Sequence, residues 1–202
     1  MNLPSFHIAS YCRIIDDNIV KNDEVLFSDK TGDLSSFLKK AYKHLKITYP
    51  KFFKMDPLSK LAFIAAEILL KDSEEENTAL VFSNRASSLD TDRKHSATIS
   101  DIEHPYASPA IFVYTLPNIC LGEISIRHTL YSENSFFIFD KFNPRLLTDY
   151  CNSLLSTGKT EKILCGWVDV DQQEYDAFLY LIGKTGVYPF TTDELNRLYR
   201  KT

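Results

Sequence analysis

Thiols and imidazoles are the side chains in this sequence best suited to covalent or acid–base chemistry, and neither kind falls in a spacing that builds a site. Cys12, Cys120, Cys151 and Cys165 lie far apart, with no CxxC pair, each inside an apolar segment where a buried free thiol is expected. His7, His44, His95, His104 and His128 are scattered, and each is expected on the surface or lining the core. HExxH, spaced metal ligands and a glycine-rich phosphate loop are absent from a chain with six glycines, so neither a metal nor a cofactor is expected. Two polar stretches remain. "SSLDTDRKH", from Ser87, gathers hydroxyls, paired carboxylates and cations; its Ser87–Asp92 loop reads as a solvated turn or helix cap, with ligand contact the sharper alternative. Asp140 and Lys141 fall between a predicted strand and a predicted helix. Lys141 opposes the macrodipole and could recruit a phosphate, although an exposed lysine beside Asp140 is the simpler reading.

These residues must be held by a fold of ordinary globular composition, 44% hydrophobic and 25% charged over 202 residues, which sets one domain spanning 1–202 as the expectation. Lysine and arginine total 23 against 27 acidic residues, a net charge of −4 with the signs scattered, which argues against a nucleic-acid role. The start "MNLPSFHIASYCRII" has no charged region before an apolar run, and no stretch approaches the ~18 apolar residues of a spanning helix. A cytoplasmic protein, neither secreted nor membrane-inserted, is expected.

A strand is predicted at "FHIASYCRII", followed by a polar loop, and an amphipathic helix over 34–45. The next helix has Asp56 as N-cap, Pro57 at its first position and Glu67 four residues before Lys71. "TALVFSN", Thr78 to Asn84, reads as a central parallel strand; a polar segment runs on to Pro109; "LPNICLGEISIRHTL" reads as a buried helix whose Gly122 permits close packing. Asn134 to Phe139 is a strand, Asn143 and Pro144 start a helix that Gly158 ends, and two strands and a short helix follow. The alternation predicts an α/β layer architecture, a five-stranded, mostly parallel mixed sheet with helices on both faces and one antiparallel closing strand.

The order of elements and the stretch "SPAIFVYTLPNICLGEISIRHTLYSEN" resemble the N-terminal half of the β-ketoacyl synthases of the thiolase-fold superfamily. The family form S-P-x-x-F…L-P-N…G-x-x-S-I is matched by Ser108, Pro109, Phe112, Leu116, Pro117, Asn118, Gly122, Ser125 and Ile126; "SEN" stands at a G-P-N-like turn, and Gly166 of "ILCGWVDV" falls in register with a glycine-containing strand. The resemblance implies a half of the duplicated fold and places the nucleophile position at about Lys141, with no cysteine in reach. The family's enolate-stabilising histidines come from a second half that this chain lacks. The resemblance further implies that the Asn134 to Phe139 strand lies at a dimer interface, with Asn134, Phe136, Phe137, Ile138 and Phe139 in contact. Two functions follow as expectations: a non-catalytic, chain-length-factor-like partner of a full ketosynthase in fatty-acid, polyketide or aryl-polyene type biosynthesis, or a 3-oxoacyl-acyl-carrier-protein synthase completed by another chain. The implied partners are a second copy or a full ketosynthase, and an acyl carrier protein.

Overall fold

The computed structural model describes residues 5–30, 32–71, 77–100 and 106–200, so His104 lies outside the described residues. In chain order the elements are β1 (His7–Ile15), β2 (Asn18–Lys21), β3 (Glu24–Ser28), α1 (Leu34–His44), a 3₁₀ turn (Pro50–Lys54), α2 (Pro57–Leu70) and β4 (Thr78–Asn84). Then come α3 (Leu89–Ile99), α4 (Pro109–Phe112) with a 3₁₀ turn (Val113–Thr115), α5 (Ile119–His128), β5 (Asn134–Ile138) and α6 (Pro144–Ser156). The chain closes with β6 (Lys162–Asp171), β7 (Glu174–Gly183), β8 (Tyr188–Pro189) and α7 (Thr192–Arg200).

The α/β class holds, but the five-stranded, mostly parallel sheet does not. Eight strands form one sheet in the order β3-β2-β1-β7-β6-β4-β5, with β8 beside β1, and only the β4–β5 and β4–β6 pairs are parallel. The polar run after β1, read as loop, forms β2 and β3, which with β1 make a three-stranded meander. Its tight turns are Asp16-Asp17 and Asn22-Asp23, all four at positive φ between 48° and 72°. Type I′ geometry of this kind is usually announced by glycine, and none is present. A two-residue link, Gln172-Gln173, likewise forces β7 to run antiparallel to β6.

The three parallel strands need crossovers, and these occupy opposite faces. The path from β4 to β5 ends in α5, whose Cys120, Leu121 and Ile124 join α1, α2 and Phe82 in one core; the path from β5 to β6 is α6, whose Leu147 and Cys151 join α7, Trp167 and Phe178 in the other. Helices therefore cover both faces, as read. All seven residues of β4 are buried, the signature of a strand covered on both sides.

Helix α2 is buried at twelve of its fourteen positions and is the helical centre of the first core. Its cap is the one read in the sequence: Asp56 accepts the Ser59 amide at 2.9 Å. Glu67 does not serve Lys71. It accepts from Arg127 Nε at 2.7 Å and lies 3.0 Å from His128 Nε2, both on α5. Burial alone would raise the Glu67 carboxyl, but hydrogen bonds from His128 and Arg127 outweigh it and hold the group below its ordinary range. Gly122 permits no close approach, because a Cβ built there meets nothing within 4 Å. The polar segment before Pro109 contains α3, a helix whose apolar ends, Leu89 and Ile99, are exposed and so left no amphipathic trace.

Candidate functional site

In open α/β sheets ligands bind beyond the carboxyl ends of parallel strands. Here a groove of about 980 Å³ lies there, lined among others by Arg85 after β4, Ile138 at the end of β5 and the turn from Phe139 to Asn143, Trp167 and Asp169 of β6, and Tyr199 and Arg200 of α7. It surrounds the Asp140–Lys141 turn between β5 and α6.

The turn is built by local rules. Phe142 is its anchor, packed edge-on against Phe178 at 5.7 Å and against Tyr199 at 4.6 Å between ring centroids. Asn143 caps α6 by accepting the Leu146 amide at 3.2 Å, and Pro144 fills the first helical position. Asp140 and Lys141 therefore stand in front of the α6 N-terminus, with Lys141 exposed to the groove. Asp169 is pinned by the Arg85 and Ala86 amides at 3.1 and 2.9 Å, and the Arg85 guanidinium lies 3.6 Å away. Asp176 accepts a short hydrogen bond from the Tyr199 hydroxyl; burial raises its carboxyl, and burial with that bond raises the Tyr199 phenol too. Among the described residues Lys141, Arg145 and Arg200 form no ion pair, leaving a surplus of cations around the groove.

No thiol reaches this groove. All four cysteines are free and buried. Burial pushes the Cys12 thiol up to about 12 and raises those of Cys120 and Cys151 as well, and Cys151 sits two turns into α6 facing the core. None of the described histidines lines the groove: His44 packs on Phe27, His95 on Phe112, and His128 on Glu67. The Ser87–Asp92 stretch is not a loop. It turns through Ser87 at φ 53° into α3, and its polar groups are consumed internally: Ser88 by Thr115 and Asp92, Thr91 by Asp56, Asp90 by Lys94.

β5, which carries Asn134, Phe136, Phe137 and Ile138, is the last strand of the sheet, with one edge paired to β4 and the other unpaired among the described residues. Phe137 lies against Phe139 and Tyr150 on the α6 side, at 5.8 and 5.2 Å, Phe136 packs on the other core, and Ile138 is 50% exposed. Arg85, Arg145 and Arg200 were not legible as a set, because they arrive from three separate elements with no sequence spacing in common.

No family model matches the sequence, and no curated protein matches it. Solved structures do. The chain is similar to the ishigamide ketosynthase/chain length factor (17% identity, TM-score 0.67, 89% of this chain and 62% of that one). It is also similar to a chain of the ketosynthase ApeO in complex with its chain length factor ApeC from Xenorhabdus doucetiae (15%, 0.61, 96% and 90%). A third is AntDE:AntF, a type II PKS acyl-carrier protein in complex with its ketosynthase (14%, 0.57, 88% and 63%). The chain spans about three-fifths of the first and third, and nearly the whole length of the matched chain in the second. The fold resembles one half of a thiolase-like ketosynthase fold.

Proposed function

We propose that this protein is a non-catalytic, ketosynthase-like subunit that pairs with a full ketosynthase, in the manner of a chain length factor, in fatty-acid, polyketide or aryl-polyene type biosynthesis. The observation that carries the reading is the occupant of the turn between β5 and α6. Acyl transfer to an enzyme requires a nucleophile near oxyanion donors, and Asp140-Lys141 stands at that turn with every cysteine in the core. The similarity to a chain of the ApeO–ApeC complex, covered over 90% of its length, supports the reading.

Pairing runs through the free edge of β5, with Asn134, Phe136, Phe137, Ile138 and Phe139 at the contact, since an unpaired strand is a template for another chain. Ile126 of α5 and Tyr131, between α5 and β5, are also exposed, at 65% and 80%. An acyl carrier protein is the second partner, its phosphate-bearing arm drawn to Lys141, Arg145 and Arg200 around the groove. Four free thiols suit a reducing compartment, the cytoplasm.

Incubation with acyl-carrier-protein thioesters followed by intact-mass measurement tests the catalytic half of the reading: no acyl adduct is expected. A stable adduct on Lys141 or on a cysteine, lost when that residue is replaced, would establish instead a 3-oxoacyl-acyl-carrier-protein synthase completed by another chain.

A further inference from the structure

We infer that the face built by α1, the following 3₁₀ turn and the start of α2 docks on an anionic lipid surface. The charges are not scattered as the whole composition implies. Between residues 34 and 66 stand seven lysines, no arginine and one carboxylate, Asp56, a net +6 that leaves −10 on the rest of the chain. Asp56 is turned inward, committed to Ser59 and to the Thr91 hydroxyl at 2.9 Å.

The fold turns the lysines outward together. Leu34, Phe37, Leu38, Ala41 and Tyr42 commit one side of α1 to the core, so Lys39, Lys40 and Lys43 project from the other. Lys51 and Lys54, three apart in a 3₁₀ turn, share a side. Lys40 pairs with Asp29 and Lys51 with Glu123, each at 2.9 Å; Lys39, Lys43, Lys46, Lys54 and Lys60 make no ion pair among the described residues. Lys60 reports the crowding: burial and the neighbouring Lys39 ammonium both push its pKa down. On the same 3₁₀ turn as Lys51 and Lys54, Phe53 is 49% exposed and fixed edge-on against Tyr42 at 5.0 Å and Phe52 at 5.6 Å.

A lipid occupant fits this surface better than a protein or a nucleic acid. Lysines on flexible stems are point charges that need no fixed geometry, whereas recognition of individual phosphates or carboxylates favours the arginine fork. An anionic bilayer attracts basic clusters within a Debye length of ~8–10 Å, and an aromatic held at the level of the lysines can enter the headgroup boundary. No single helix among the described residues is long and apolar enough to cross a membrane, so the attachment is peripheral.

Cosedimentation with phosphatidylglycerol-containing vesicles and with neutral phosphatidylcholine vesicles tests this. The protein is expected to sediment with the first, not the second, and to be released by high salt. The triple variant Lys39→Glu, Lys43→Glu, Lys54→Glu should bind more than about tenfold more weakly, the matching Lys→Gln triple should also weaken binding, and Phe53→Ser should weaken it with the salt dependence unchanged. Far-UV circular dichroism checks that each variant is folded. Equal binding to neutral vesicles, undiminished binding by the folded triple variants, or no binding to anionic vesicles would each overturn the inference. If an acidic protein partner instead loses affinity for the triple variants while vesicles never bind, the occupant is that protein.

Discussion

The two edges of the sheet are built on opposite plans. At one end β3 is a five-residue strand at the tip of a meander, entered through Asp23 and Glu24 and left through Ser28 and Asp29, with only Val25 strongly exposed among its apolar residues. At the other, β5 is equally short but carries Phe136, Phe137 and Ile138 with no charge of its own. Short charged edges resist pairing with other chains, and uncharged apolar ones invite it. The difference teaches which side of the molecule is closed and which is open, and it can be broken or sharpened by substitution.

The largest effect is expected where the two sides are joined. Gly166 of β6 holds φ +150°, and a Cβ there would stand 2.0 Å from the Phe178 carbonyl of β7. Gly166→Ala must displace the backbone of the seam, and a loss of more than ~3 kcal/mol is expected in chemical denaturation. Retention of wild-type stability would mean that β6 and β7 do not meet as described. Next, Phe137→Glu should abolish co-purification with a full ketosynthase at a cost to stability of about 2 kcal/mol, since the side chain is half-buried against Phe139 and Tyr150. Val25→Glu, the same change on the other edge, should leave both within ~0.5 kcal/mol; if it removes pairing as well, the contrast between the edges fails.

The smallest effect is a pH dependence at the groove. Burial raises the folded-state pKa of Asp176 above its unfolded value. The group therefore contributes stability that is fully present below the unfolded pKa of ~3.9 and is lost as pH rises through the raised folded pKa. Asp176→Asn keeps an oxygen that can accept from Tyr199 and removes the titration. The variant should gain stability relative to the wild type at neutral pH, and that gain should vanish on acidification; thermal melts across pH would show parallel curves if the carboxyl does not titrate in the fold.

The parts of the fold that were legible in sequence are those where local chemistry and tertiary structure agree. Asp56-Pro57 and Asn143-Pro144 mark helix starts by mechanisms that act within four residues, and β4 announces its double burial by seven residues without a charge. The meander was illegible because Asp16-Asp17 and Asn22-Asp23 adopt turns that usually contain glycine. One antiparallel closing strand was expected and β7 does run antiparallel to β6, but the meander adds further antiparallel pairs, so the sheet is mostly antiparallel. Of the candidate site, the turn around Lys141 could be read, because strand, turn, cap and proline are contiguous. Its walls could not: Arg85, Trp167 and Tyr199 meet only through the sheet.

The pairing of β1 with β7 also sets a timetable. Ile8 lies opposite Ile182, about 170 residues later in the chain, so at 5–20 residues per second the first strand emerges from the ribosome roughly ten seconds or more before the neighbour that covers its long edge. During that interval the meander has an open flank, and α1 and α2 have only part of the surface they pack on. High sequence separation of this kind slows folding and lengthens exposure of sticky intermediates. Synthesis interrupted before β7 should therefore yield an aggregating fragment, and the nascent chain should be a client for chaperones that hold unpaired strands until the last third of the protein has been made.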